Sequence, residues 1–154
     1  MEWIETLTYL KKHGKKRLDI IIKYLFIKKY FEMATPDTLN YKPYNKIIQD
    51  RNRKPYPERY VSLIRSFKER GYDEQYPIKM AYNGVMSGYS HRLACCLYFG
   101  INKIPVIYNN HYKNKIRKYS KKDMSSYNTL KLEKTLKKLI KRFKRNSQNS
   151  AIMK

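Results

Sequence analysis

The residues best suited to chemistry in this chain are five consecutive ones, Gly88-Tyr89-Ser90-His91-Arg92, here called the 88–92 loop. Glycine permits a positive φ or a close approach of the backbone to a ligand. A helix is predicted to begin at about Ser90, and the free N–H groups and dipole at a helix N-terminus favour an anion. Ser90 adds a hydroxyl donor, His91 an N–H, and Arg92 a planar fork that suits phosphate oxygens. The pattern predicts a phosphate-binding site.

The residues on either side of the loop predict a small unit of hairpin, turn, helix and strand. Residues 77–82 alternate like a strand, and Asn83-Gly84 is a strong hairpin signal before a returning strand at Val85-Met86. A helix is predicted from Ser90, its N-cap candidate, to residue 99. Residues 104–108 then have the composition of a short buried strand.

This arrangement resembles the ParB/sulfiredoxin superfamily. Members carry a Gly-x-His-Arg or Gly-x-Arg-Arg loop, a helix, a glycine and an Ile-Pro-Val-like strand. The matching residues here are Ser90-His91-Arg92-Leu93-Ala94 and Ile104-Pro105-Val106. The resemblance implies an α+β fold, with a small ParB/sulfiredoxin-like domain at residues 34–112. It also implies that the 88–92 loop binds the phosphates of ATP or ADP. Lys79, within the first strand of the unit, could reach a phosphate or could simply face water.

Three activities are found in that superfamily, and the sequence favours one of them. Sulfiredoxins repair oxidised peroxiredoxin with a loop cysteine, but the matching position here is Ser90. ParB proteins carry a DNA-binding helix-turn-helix domain after the nucleotide domain, and the residues after Tyr108 are too few for one. Other relatives phosphorylate small hydroxyl compounds such as free serine. The resemblance therefore implies a nucleotide-dependent phosphotransferase that acts on a small hydroxyl substrate.

A phosphotransferase also needs a carboxylate to orient the attacking hydroxyl, and usually Mg²⁺ to bridge the phosphates. Relatives often have Asp-Gly where this chain has Gly88-Tyr89, so the carboxylate must come from elsewhere. Asp73 and Glu74, just before the first strand of the unit, are the candidates, and a solvated loop is the alternative. His91 completes the predicted catalytic set. No Cys/His spacing indicates a zinc site, and no metal ligands are assigned.

The charge of the chain favours phosphate-rich partners. It has 35 Lys and Arg against 12 Asp and Glu, a formal net charge of +23. Nucleotides, nucleic acid and anionic membrane surfaces are the partners that such a charge attracts. Part of the excess has another source, because abundant Lys, Tyr, Asn and Ile are typical of A/T-rich genomes. A nucleic-acid-binding ParB-like protein without catalysis is therefore the alternative function.

The cysteines and the N-terminal residues indicate a cytoplasmic protein. Cys95 and Cys96 are adjacent in sequence, which strains a disulfide between them. The first residues lack the pattern of a signal peptide. The apolar stretch at residues 18–31 contains Asp19 and Lys23, and it is too short and too charged to cross a bilayer. The basic tails would allow contact with the inner face of the membrane.

Two further regions flank the predicted domain. Residues 1–33 are predicted as an N-terminal helical extension, interrupted near Gly14, with Lys23 on its polar face. Residues 113–154 are predicted as a basic C-terminal helix and tail. That helix could pack on the domain, bind nucleic acid or lie on an anionic membrane. Its apolar face comprises Leu132, Leu136, Leu139, Ile140 and Phe143.

The remaining predictions concern the connecting segments and two histidines. Residues 34–57 are predicted to be irregular, apart from a short helix at residues 44–49, and residues 58–70 form a helix. His13 and His111 have no evident partners in the sequence and are predicted at the surface.

Overall fold

A computed structural model describes residues 2–32, 41–49, 57–84, 86, 88–109 and 127–152, with side chains up to residue 145. Within these residues the fold is α+β, as predicted, with a three-stranded sheet in the order β1-β3-β2. Strand β1 (Glu2–Glu5) is antiparallel to β3 (Lys103–Tyr108). Strand β2 (Ile78–Met80) is parallel to β3.

Helix α2 (Leu18–Glu32) lies at the centre of the molecule. Its residues 18–24 are buried without interruption, so this part of the helix is covered on every side. It packs mainly on α5 (Ser90–Phe99), and also on α3 (Lys42–Gln49) and α6 (Thr129–Ile152). Helix α1 (Thr6–His13), a 3-10 turn at Gly14–Lys16 and helix α4 (Pro57–Arg70) complete the described helices.

One face of the sheet contributes to the core, because alternate residues of β2 and β3 point the same way. Ile78 and Met80 of β2 and Ile104 and Val106 of β3 are all at most 2% exposed. They belong to one continuous apolar cluster that runs from α1 through α2 and α5 to α6. The 88–92 loop includes the first turn of α5 and therefore begins a helix that is fixed in this core.

Helix α6 packs on the domain, which is one of the three arrangements that its sequence allowed. It contacts α1, α2 and the 3-10 turn. Leu136 lies so close to Gly14 that a Cβ added there would be 2.8 Å from its Cδ1 atom. The apolar face predicted for this helix is confirmed by four buried side chains: Leu132, Leu136, Leu139 and Phe143.

Several local predictions differ from the structure. The N-terminal segment, predicted as wholly helical, begins with β1, since its pairing with β3 is a long-range contact that local periodicity does not encode. The returning strand of the hairpin is not seen in the described residues. The turn at Gly84 forms, with its N–H 2.9 Å from the carbonyl oxygen of Ala81, but Met86 is then buried outside any strand. Val85 and His111 lie outside the described residues.

Two side chains assigned to the surface by sequence are buried instead. Lys23 is 1% exposed, because helix α2 is enclosed on all sides at this level. His13 is 8% exposed and packs on the ring of Tyr9, with the ring centroids 4.8 Å apart. Burial and the neighbouring cations lower the pKa of His13, so its imidazole favours the neutral form. In the described part of the chain, no helix has the length and apolarity needed to cross a membrane.

Candidate phosphate-binding site

The backbone of the 88–92 loop forms a concave turn at the start of α5. Gly88 has φ +87° and Tyr89 has φ +61°, so both are left-handed, and Ser90 begins the right-handed helix. Consecutive N–H groups in such a left-to-right-handed turn converge on one point and can bind an anion. Tyr89, not Ser90 as predicted, occupies the N-cap position, and its side chain makes no capping hydrogen bond. The first turn of α5 thus has no side-chain cap of its own.

Ser90 points into the protein. It is 3% exposed, and its Oγ atom accepts a hydrogen bond from the Nζ atom of Lys23. The main-chain oxygen of Lys23 in turn accepts a hydrogen bond from the Tyr60 hydroxyl at 2.8 Å. The hydroxyl of Ser90, predicted as a phosphate donor, is therefore engaged on the inner side of the loop. Only its backbone N–H remains for the predicted anion.

Arg17, which is 3% exposed, holds the inner side of the loop. Its Nη1 atom donates to the carbonyl oxygen of Met86 at 3.2 Å, and its Nη2 atom to that of Gly88 at 2.9 Å. Its Nε atom lies 3.2 Å from Oδ1 of Asp19, which is fully buried. The carbonyl groups of the loop are thereby turned inward, towards a fixed guanidinium.

His91 is held against two buried tyrosines. Its Nε2 atom lies 3.0 Å from the hydroxyl oxygen of Tyr44, and its ring meets that of Tyr60 edge-on at 4.7 Å. Burial raises the pKa of Tyr44, so its hydroxyl stays protonated at physiological pH. These contacts give His91 a structural role in positioning the first turn of α5, besides the catalytic role that its sequence position suggested.

Arg92 lies on the outer side of the same turn. Its Nη1 atom donates to the carbonyl oxygen of Tyr76 at 2.9 Å. Its guanidinium carbon lies 5.6 Å from the ring centroid of Tyr89 and 5.8 Å from that of Tyr76. Two aromatic faces and hydrogen bonds to Tyr76 and Tyr72 thus hold the guanidinium. Since a guanidinium has five N–H donors, others remain for a ligand.

A cleft of about 230 Å³, here called the Arg92 cleft, opens beside this guanidinium. It lies between the end of α4, the turn that follows it, and α5. Burial raises the pKa of Tyr72, one of its lining residues, to about 12, so this phenol is neutral at physiological pH. Its hydroxyl donates to the carbonyl oxygen of Tyr76 at 3.0 Å. The lining residues are Leu63, Ser66, Phe67, Gly71, Tyr72, Asp73, Tyr76 and Arg92.

The structure brings one of the two predicted carboxylates to the cleft. Asp73 lines it, and its Oδ1 atom accepts a hydrogen bond from the N–H of Gln75 at 3.0 Å, which fixes the side chain. Glu74 is exposed on the same turn but does not line the cleft. Lys79 is exposed on the sheet face opposite to the buried Ile78 and Met80, and it does not line the cleft either.

No family model, no curated protein and no solved structure matches this chain. What the site can do must therefore be judged from its own residues. The part of the chain that the structure describes contains no cluster of three or more His, Cys, Asp or Glu side chains able to hold a metal. Cys95 and Cys96 are free thiols, and burial raises the pKa of both, so neither offers a thiolate nucleophile.

Sequence reasoning missed the inner residues of the site: Arg17, Asp19 and Lys23. A signal for them existed. Asp19 and Lys23 interrupt an otherwise apolar run and flank three consecutive isoleucines at residues 20–22. Charged residues within such a run are buried only when they are paired, so each of them implied an internal partner.

Proposed function

We propose that this protein is a nucleotide-dependent phosphotransferase with a ParB/sulfiredoxin-like fold. It binds the phosphates of ATP or ADP at the N-terminus of α5. The observation that carries the proposal is the left-handed pair Gly88 and Tyr89, which presents an uncapped helix N-terminus next to the guanidinium of Arg92. Backbone N–H groups and a bidentate cation are the donors that phosphate groups prefer.

The Arg92 cleft supplies a place for the acceptor. At about 230 Å³ it is smaller than the cavities that hold drug-sized ligands, which begin at roughly 300 Å³. A small hydroxyl compound, such as an amino acid or a sugar, is the substrate class that fits. Apolar walls from Leu63 and Phe67 and the polar groups of Ser66 and Tyr72 would orient it.

In the proposed reaction, the acceptor hydroxyl lies between the carboxylate of Asp73 and the terminal phosphate of the nucleotide. Its oxygen forms a bond to that phosphorus, while the bond from phosphorus to the bridging oxygen breaks. The hydroxyl proton passes to the Asp73 carboxylate and then to solvent. ATP leaves as ADP, or ADP as AMP, and the acceptor leaves as its phosphate ester. Arg92 and the N–H groups of α5 stabilise the charge on the transferring group.

Mg²⁺ fits this site as an ion that arrives with the nucleotide. It commonly takes only one or two carboxylates from the protein and completes its octahedron with phosphate oxygens and water. Asp73 is the carboxylate in the cleft that would hold it, because Glu74 does not line the cleft. When bound, Mg²⁺ neutralises charge on the phosphates.

The test is calorimetric titration of ATP and ADP into wild-type protein and into Arg92→Ala. Loss of a charge-assisted phosphate contact of about 1.5–3 kcal/mol is expected to weaken binding roughly tenfold to a hundredfold. Arg145→Ala is the matched control, since Arg145 is exposed on α6 and its loss removes the same charge. Equal nucleotide affinity in wild type and Arg92→Ala would overturn the proposal.

A further inference from the structure

A second concave surface, here called the α2/α6 groove, lies between helices α2 and α6. It has a volume of about 660 Å³ and shares no lining residue with the Arg92 cleft. From α2 it takes residues one helical turn apart: Tyr24, Leu25, Lys28, Lys29 and Glu32. From α6 it takes a matching stripe: Lys131, Thr135, Lys138, Leu139 and Arg142. Tyr41 closes one side.

Positive charge dominates the groove. Five cations and a single carboxylate, that of Glu32, line it, which leaves four net positive charges. None of these cations forms a salt bridge with another described residue. Like charges on two facing helices repel each other, so their concentration here favours an anionic ligand with several charges.

Aromatic rings lie among these cations. The Nζ atom of Lys29 lies 5.2 Å from the ring centroid of Tyr41, which is partly exposed, and Tyr41 also packs on Phe26 at 6.3 Å. Tyr24 is buried at the base of the groove beside Arg142. A positively charged channel with an aromatic side chain at its edge is the usual arrangement for binding single-stranded nucleic acid, whose bases stack on the ring.

The dimensions of the groove also suit a nucleic-acid strand. The stripe from Lys131 to Arg142 spans roughly 16 Å along α6, at about 1.5 Å per residue. The phosphates of one duplex strand are about 3.4 Å apart along the axis. Those of an extended single strand are farther apart, so the groove has room for at least two of them.

A bilayer surface fits this region less well. Binding of a basic amphipathic helix to a membrane requires its apolar face to enter the lipid. The apolar face of α6 is already buried against the domain, and Leu136 and Leu139 are each 3% exposed. The cations of the groove lie in a recess between two helices instead of on a flat surface.

We infer that the α2/α6 groove binds a short segment of single-stranded nucleic acid. Lys28, Lys131, Lys138 and Arg142 contact its phosphates, and the Tyr41 ring stacks on a base. This goes beyond the proposed phosphotransferase activity, because it assigns a separate site to a polymeric ligand.

The experiment measures binding of a fluorescent oligothymidylate of about twenty nucleotides, which exceeds the ~4–16 nucleotides of common single-strand sites. The groove variant is Lys131→Glu/Lys138→Glu. The matched control is Lys137→Glu/Lys144→Glu, which makes the same charge change at exposed positions of α6 that do not line the groove. Thermal unfolding of all proteins by circular dichroism confirms that they are folded.

The groove variant is expected to bind at least about tenfold more weakly than the control variant. The slope of log affinity against log salt concentration should be smaller in magnitude by about 1.4 than that of the control variant, since each lost phosphate contact removes roughly 0.7. Tyr41→Leu, which keeps an apolar side chain, should weaken binding by about tenfold through loss of stacking.

Two results would overturn the inference. Equal weakening by the two double variants would show that the chain attracts nucleic acid through diffuse charge and not through the groove. A further measurement is sedimentation of each protein with vesicles of phosphatidylserine and phosphatidylcholine. If the oligonucleotide does not bind, and vesicle binding is lost only in the groove variant, the ligand of the groove is a membrane surface.

Discussion

The two sides of the 88–92 loop carry similar chemical groups in opposite environments. On the inner side, Arg17 and Lys23 are almost fully buried, and protein atoms receive their hydrogen bonds. On the outer side, Arg92 is only partly buried and borders a cleft with Asp73. Each side has one arginine and one aspartate, but the inner pair is in direct contact and the outer pair faces an open space.

This difference distinguishes charged side chains that stabilise a conformation from charged side chains that remain available for a ligand. A buried ion pair that also satisfies backbone carbonyls fixes a conformation, since moving either partner would leave an uncompensated charge. An exposed pair across a cleft contributes little to stability and keeps its donors for a ligand. The inner side therefore holds the loop in its left-handed conformation, and the outer side leaves Arg92 available for the proposed ligand.

The largest expected effect is on stability, at the inner side. Asp19→Ala leaves the Arg17 guanidinium buried without its carboxylate and should lower the free energy of unfolding by about 3–5 kcal/mol. Urea denaturation measures the change. Glu74→Ala, which removes an exposed carboxylate, should stay within roughly 0.5 kcal/mol of wild type. A similar small change for Asp19→Ala would show that the inner pair does not hold the loop.

The next effect is on catalysis, at the outer side. Asp73→Asn keeps the shape of the side chain but cannot take the acceptor proton. It should lower the rate of phosphoryl transfer by about a hundredfold or more, which is the usual contribution of a general base. Nucleotide affinity measured without Mg²⁺ should change little, because Arg92 and the α5 N–H groups remain. Glu74→Gln is the control. An equal loss of rate in that variant would show that Asp73 is not the general base.

The smallest expected effect is on stability, when the glycine at either end of α5 is replaced. Gly88 and Gly100 both have positive φ, of +87° and +69°, and a Cβ at either position would meet no atom within 4 Å. Replacement by Ala should therefore cost about the same at both, roughly 1–2 kcal/mol of stability from the left-handed backbone alone. Only Gly88→Ala should also weaken nucleotide binding. Equal affinity in the two variants would argue against binding at this turn.

Much of the fold could be predicted from local patterns. The helix at α4, the apolar face of α6 and the strand β3 follow from periodicity and from glycine at helix ends. Strand β1 was not predictable in this way, because the strand that it pairs with, β3, lies about a hundred residues away in sequence and no short-range signal encodes that pairing. The hairpin signal at Asn83-Gly84 predicted the turn but not the path after it.

For the candidate site, the outer residues could be predicted. For the inner ones the sequence indicated only that Asp19 and Lys23 have internal partners, and not that they lie beside the 88–92 loop. Gly88 and Arg92 belong to one short motif, so their chemistry can be inferred from neighbouring positions. Arg17 reaches the same loop from the other end of the chain, and only the packing of α2 on α5 brings it there. The inward orientation of Ser90 likewise depends on Lys23, which a helical pattern places at the surface.

A crystal structure with a non-hydrolysable ATP analogue tests the central claim most directly. Phosphate oxygens are expected within hydrogen-bond distance of the backbone N–H groups of Ser90, His91 and Arg92 and of the Arg92 guanidinium. The Asp73 carboxylate should face the terminal phosphate across the Arg92 cleft. Phosphates bound only in the α2/α6 groove, with the first turn of α5 unchanged, would contradict it.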